Sequence, residues 1–293
     1  MRRALLLPLF VLALLAAGCG GSDDENGAGA VTAQPASCDK DQLNLVNAGQ
    51  LTVGTNNPAY PPWFGGDPKD PWKISDPASG EGYESAVAYA VADKLGFDRA
   101  DVKWVYVPFN KAFAPGPKSF DFDINQISYA PTRAKAVDFS ETYYDVNQAL
   151  VANKGTPIAS AKTFADLKKY KLGAEVGTTS YRYITDNIKP TEQPSVYDSN
   201  NDAISALNAK QIDGIVVDLP TAFYIVAAQL DNGTIVGQFP SGGTPEHFGM
   251  VFEKGNSLVE CVNRALRGLK AESKLAQLRQ EWLANKASAP VLK

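Results

Sequence analysis

Short apolar, β-branched runs alternate with helix-like patterns along most of the chain, and this alternation limits the possible folds more than any other feature. A first strand reads at Leu51-Thr52-Val53-Gly54, and 102–107, 149–152, 171–175, 214–217 and 249–252 read the same way. Between them, 85–95 sets Val87, Val91 and Leu95 on one helical face before Gly96. Helical spacing recurs over 163–168, 179–187, 201–208, 220–230 and 258–283. Thr163 and Asp166 have the spacing of a reciprocal helix cap, and Pro220 suits a first helical turn. Strands alternating with helices predict an α/β protein with largely parallel sheets.

Two stretches interrupt the pattern. Residues 39–48 carry helix-like spacing at Leu43 and Val46 and run into Gly49, a good C-terminal stop. Residues 56–82 are crowded with Pro, Gly and Asp, yet hold Tyr60, Trp63, Phe64 and Trp72. A long aromatic loop inside a compact domain is usually functional. At roughly 150 residues per domain, the 293 residues allow two domains.

Several chemistries lack their residues. There is no G-x-G-x-x-G after a strand, no phosphate-binding P-loop and no G-x-S-x-G nucleophile turn. One histidine, His247, and three cysteines without C-x-x-C spacing are too few for a tetrahedral metal site or a histidine-based triad, so neither metal nor cofactor is expected. The balance of 28 basic and 32 acidic residues, a net charge of −4, offers no surplus for a phosphate backbone and argues against a nucleic-acid partner.

The N-terminus reads as an address. Arg2 and Arg3 precede an apolar run over 4–17 that ends at Gly18-Cys19. Such a run falls short of the about 20 residues a membrane span needs, so 1–18 reads as an export signal. Leu15-Ala16-Ala17-Gly18 before Cys19 resembles a bacterial lipobox, which implies cleavage before Cys19 and lipid on its sulfur. Residues 19–37, rich in small and acidic residues, read as a flexible tether. Export to a disulfide-permissive compartment leaves Cys38 and Cys261 as an expected bridge.

Three segments concentrate polar chemistry at strand ends. Ser128 and Arg133 lie in Ile127-Ser128-Tyr129-Ala130-Pro131-Thr132-Arg133, and the rigid fork of Arg133 suits a carboxylate. Gly177-Thr178-Thr179 opens a helical pattern, where free N–H groups attract an anion. Asp218 ends the run Ile215-Val216-Val217, where ligands of open α/β sheets gather, and suits an ammonium group. Each has a plainer reading: a surface arginine, a helix cap, and an N-cap for the helix at Pro220. Together an anion site and a carboxylate fit a zwitterion.

These segments, with Thr132-Arg133-x-x-x-Val137-Asp138-Phe139-Ser140 followed by Gly177-Thr178-Thr179 and Val216-Val217-Asp218-x-Pro220, resemble the bacterial extracellular solute-binding proteins of polar-amino-acid ABC importers. The resemblance covers about 40–285. It implies a two-lobed periplasmic-binding-protein fold, with two α/β lobes joined by a two-strand hinge and the ligand in the interlobe cleft. Lobe one is expected over 38–149 and 246–293, and lobe two over 150–245. It further implies a monomer that binds a free amino acid and delivers it to importer membrane subunits, lipid-anchored through Cys19 on the outer face of the membrane.

Carried over by position, Arg133 and Ser128 meet the ligand carboxylate together with Thr178 and Thr179, Asp218 receives the ammonium, and Phe109 and Tyr60 sandwich the ligand. Some positions depart from the pattern. Gln126 replaces a glycine, so its side chain is free to enter the cleft. The longer loop offers Trp63 in place of Tyr60. Asn56 and Glu175 stand near the ligand's far end, where Glu175 favours a basic or polar neutral amino acid. The same scaffold also resembles cyclohexadienyl dehydratases, for which Glu175 is the available acid, and ligand sensors that signal to a membrane partner.

Overall fold

A computed structural model describes residues 37–240, 245–283 and 289–293. The predicted signal 1–18, Cys19 and the tether up to residue 36 lie outside the described residues. In chain order the strands are β1 (Leu51–Thr55), β2 (Val102–Tyr106), β3 (Phe122–Asp123), β4 (Val137–Phe139), β5 (Tyr144–Val146), β6 (Gln148–Asn153), β7 (Leu172–Glu175), β8 (Ser195–Tyr197), β9 (Gly214–Asp218), β10 (Gly233–Gln238), β11 (Glu246–Phe248) and β12 (Val251–Glu253). The helices are α1 (Tyr83–Lys94), α2 (Phe109–Ala112), α3 (Phe164–Leu167), α4 (Thr179–Tyr183), α5 (Asn200–Asn208), α6 (Leu219–Tyr224), α7 (Leu258–Ala271) and α8 (Lys274–Leu283).

The strands form two five-stranded sheets, ordered β2-β1-β3-β12-β4 and β10-β6-β9-β7-β8, and a small ribbon pairs β11 with β5. Each sheet is mixed rather than largely parallel. The pairs β1·β2, β1·β3, β7·β8 and β7·β9 are parallel, whereas β12 and β6 run against their neighbours. The reason is topological. Strands β6 and β12 follow directly on the ribbon strands β5 and β11, so they start where β1, β7 and β9 end.

Period-two alternation puts both faces of the second sheet to use. Ala149, Val151, Ile215 and Val217 pack on one side with Ile204, Leu207 and Ala222. Leu150, Ala152, Val216, Leu172 and Ala174 face the other core with Ile184 and Phe239. Helix α5 starts where the Ser199 side chain accepts the Asp202 N–H, and α3 starts with both bonds of the Thr163/Asp166 capping box. In the first lobe, α7 buries Leu258, Cys261, Val262, Ala265, Leu266 and Leu269 at three- and four-residue spacing. Each of its leucines contributes about 1.5–3 kcal/mol by leaving water. The aromatic loop is largely core: Trp63, Phe64 and Trp72 are buried against α1 and its neighbours.

Four expectations are corrected in detail, besides the mixed sheets. Residues 39–48 form one turn of 3₁₀ helix at Lys40–Gln42, leave it extended so that Leu43 and Leu45, two apart, reach the core, and end in a tight turn bridged by Asn47 and Gln50. The pattern over 258–283 breaks into α7 and α8 at Ser273, whose φ is +59°. The patterns over 179–187 and 220–230 begin as α4 and α6 but widen into π turns at Ile184–Ile188 and Ile225–Gln229. Residues 289–293 pack on the second sheet rather than the first lobe. The Gln238 N–H donates to Pro290, the Leu292 N–H donates to Gln238, and Leu292 enters the second lobe's core.

Cys38 and Cys261 form the expected disulfide, with Cα atoms 5.4 Å apart. Among the described residues no helix is long and apolar enough to cross a membrane.

Candidate functional site

The carboxyl ends of β1, β2, β7, β8 and β9 converge on one cavity of about 420 Å³. All eleven residues singled out for ligand contact line it: Asn56, Tyr60, Trp63, Phe109, Gln126, Ser128, Arg133, Glu175, Thr178, Thr179 and Asp218. They come from both lobes, and the lobes touch across it.

Arg133 is buried in a turn of 3₁₀ helix before β4, its guanidinium carbon 4.2 Å from the Phe113 ring centroid and 5.7 Å from that of Phe109. Nη1 donates to the Ser128 carbonyl at 2.6 Å and Nη2 to the Gly177 carbonyl of the other lobe at 2.8 Å. Burial pulls its pKa down to about 10, which leaves it charged at neutral pH. Gly177 has a φ of +77°, a conformation that favours glycine, and a Cβ there would push aside the Asn110 side chain of the other lobe.

The plainer readings separate here. Asp218 does sit at the N-cap position of α6, but its side chain makes no capping bond. It accepts instead from Gln148 Nε2 at 2.7 Å, and burial, reinforced by Glu246, pushes its carboxyl well above the usual range. Thr178 does cap: its hydroxyl accepts the Tyr181 N–H and donates to the Glu175 carbonyl. Thr179 keeps its hydroxyl toward the lobe interface, donating to Glu246 Oε1.

Gln126 departs from expectation in an informative way. Its φ of +48° is a left-handed conformation that glycine adopts without strain. Its side-chain amide reaches the cavity wall but donates to Glu84, which also accepts the Gln126 N–H and the Tyr143 hydroxyl. Burial raises Glu84 to about 7 despite these three donors. The glutamine thus anchors the Ser128 segment to α1.

Glu175 is raised to about 7 by burial, and its Oε2 accepts the Asn200 N–H at 3.1 Å. Asn56 accepts from the Asn57 N–H. The two loop aromatics take different places. Trp63 is buried against Tyr83, Tyr144 and Phe248, and Nε1 donates to Thr221 across the lobes at 3.2 Å. Tyr60 packs on Tyr224 at 5.9 Å and accepts from Asn201.

Two polar residues bonded to the cavity lining from behind were not read from sequence. Gln148, at the start of β6, binds Asp218 and Glu246 through one nitrogen and accepts from Ser180 through its oxygen. Glu246, at the start of β11, accepts from Ser128, Thr179 and Gln148. The only sequence hint for Glu246 is an acid shortly before the strand read at 249–252. Among the described residues no group of three or more His, Cys, Asp or Glu side chains is placed to hold a metal.

Two α/β lobes on mixed sheets, with a polar cavity between their strand ends, define a two-lobed ligand-binding protein. The chain belongs to the bacterial extracellular solute-binding proteins, family 3, whose model matches residues 51–285. It is 32% identical over 171 residues to ABC transporter arginine-binding protein 1 of Escherichia coli K12, covering 56% of this chain and 67% of that protein. It is 30% identical over 253 residues to the L-cystine-binding protein TcyJ of Escherichia coli K12, covering 83% and 86%. An ancestral arginine-binding protein solved with arginine bound superposes with a TM-score of 0.65 at 29% identity, covering 80% of this chain and 98% of that one.

Proposed function

We propose that this protein captures one free amino acid with a cationic side chain in the interlobe cavity and hands it to the membrane subunits of an ABC importer. In this reading it works as a monomer held at the outer face of the membrane by lipid on Cys19. The observation that carries the reading is the convergence of Arg133, Asp218 and Glu175 on one cavity. Arg133 meets the ligand carboxylate, aided by Ser128 and Thr179. Asp218, free of capping duty, receives the α-ammonium. Glu175 lines the same cavity and faces a side-chain cation. Tyr60 and Phe109 supply aromatic faces.

Lobe closure excludes water and strengthens each of these charge contacts. Relatives whose names specify arginine support the cationic choice. For the dehydratase alternative Glu175 remains the available acid, and incubation with prephenate or arogenate followed by product analysis separates it from the binding reading. Thermal-shift screening against the free amino acids tests the reading. A bound amino acid at 100 times its dissociation constant adds about 2.7 kcal/mol to stability, and a flat response to every amino acid overturns it.

Glu175 gives a sharper test. Its value of about 7 means the carboxyl is partly protonated near neutrality, and only the ionised form attracts a cation. Arginine affinity is therefore expected to rise as pH rises through about 7 and to level off above it. Below that value one coupled proton gives a slope of up to about tenfold per pH unit. Asp218, also raised by burial, acts in the same direction. In Glu175→Gln, arginine affinity drops by about tenfold or more at pH 8, the pH slope shrinks, and glutamine binding changes little. Calorimetry at pH 5.5 and 8 measures both, and an unchanged preference with an unchanged slope removes Glu175 from the site.

A further inference from the structure

Ser128 and Thr179 each own a single hydroxyl proton, and both point at the same atom. Ser128 Oγ donates to Glu246 Oε1 at 2.5 Å, Thr179 Oγ1 donates to that oxygen as well, and Oε2 accepts from Gln148 at 3.0 Å. Ser128 belongs to the first lobe and Thr179 to the second, and both line the cavity, so one carboxylate beside it bridges the two lobes. A hydroxyl proton held by one carboxylate is not available to another. Arg133 is engaged elsewhere, with the Ser128 and Gly177 carbonyls.

We propose that Glu246 is an internal competitor for the ligand-carboxylate subsite: it takes the Ser128 and Thr179 hydroxyls itself, latches the lobes together without ligand, and must yield both before an amino-acid carboxylate is bound. The competition rests on the amino-acid reading above, whereas the latch does not. Glu246 thereby sets affinity in the opposite sense to an ordinary contact residue. It stabilises only the self-occupied closed form, and a group that favours one state over the binding-competent one lowers apparent affinity. Two like charges at one subsite make simultaneous occupancy unfavourable. Half-buried at the edge of the ribbon, Glu246 is able to swing away without breaking the core.

The test compares wild-type full-length protein with Glu246→Ala and Glu246→Gln by calorimetric titration with L-arginine. The distance between spin labels, one on each lobe, is measured in parallel without ligand. Glu246→Ala is expected to bind arginine at least about tenfold more tightly, about 1.4 kcal/mol, and to show longer interlobe distances when unliganded. Glu246→Gln, which keeps an acceptor oxygen but loses the charge, falls between. Arginine affinity equal to or weaker than wild type in both variants overturns the competition and makes Glu246 an ordinary contact or ammonium acceptor. If no amino acid binds any of the three proteins, the amino-acid reading fails, and the label distances then decide the latch: lengthening in Glu246→Ala upholds it, and unchanged distances overturn it.

Discussion

Replacing Arg133 with alanine is expected to lower amino-acid affinity by at least about a hundredfold, about 2.7 kcal/mol at 25 °C. The size follows from what the guanidinium does. A hydrogen bond to a charged partner contributes about 1.5–3 kcal/mol, and an arginine fork presents two in fixed geometry. Arg133 is also preorganised by Phe109, Phe113 and the Ser128 carbonyl, so little side-chain freedom is lost on binding. Its bond to the Gly177 carbonyl adds a tie between the lobes that the alanine variant loses. Arg133→Lys keeps the charge but not the fork and falls between. Removing a buried donor costs the fold about 1–3 kcal/mol as well, so a melting curve accompanies each titration to confirm that the variant is folded. A folded Arg133→Ala protein with wild-type affinity contradicts the site.

How much of this was legible in the sequence depends on the distance over which each residue finds its partners. Arg133, Thr179 and Asp218 sit in local patterns at strand and helix ends, where position alone constrains where they lie, and the cavity assembles them. Glu246 has no such local signature. Its partners Ser128 and Thr179 lie 118 and 67 residues away, and only the return of the chain along β11 beside β5 brings them together. Gln148 was hidden for the same reason, as a polar residue at the head of an apolar strand whose three polar contacts all belong to other segments.

At Gln126 the decisive partner lies far away in the sequence. A residue in place of glycine signals a side chain in the cleft, but the buried Glu84 that captures it lies on α1 and leaves no trace near Gln126. The fold was read best where periodicity is strong. Gly214–Asp218 and α7 follow from their apolar spacing. Residues 39–48 did not, because with so few apolar residues a helical and an extended period both fit, and only contact with the core selects one. The mixed sheets were missed because strand direction depends on how the chain crosses the hinge.

Removing the Cys38–Cys261 bridge, by Cys38→Ser with Cys261→Ser or by reduction, is expected to lower stability by up to about 5 kcal/mol while leaving amino-acid affinity within about twofold. The bridge joins residues 223 apart, and on the chain-entropy account a longer closed loop restricts the unfolded chain more. The folded chain gains a second benefit, since the segment after Cys38 is otherwise tied to the first lobe by a few half-buried side chains, the Lys40–Asp101 pair and the Val46 N–H bond to Asp121. Without the bridge that segment is free to fray from α7, on which Cys261 is buried. At about 2–4 °C per kcal/mol for a chain somewhat smaller than this one, the melting temperature drops by up to roughly 10–20 °C. Neither cysteine lines the cavity, so the binding geometry has no reason to change. Melts of wild type with and without reductant, beside the double serine variant and an arginine titration of each, separate the two effects. A loss below about 1 kcal/mol would show that the unfolded chain is already restrained near these residues. A loss of affinity would show instead that the first lobe's framework is coupled to the cavity through α7 and the core beneath β12, a coupling that the separation of the bridge from the cavity argues against.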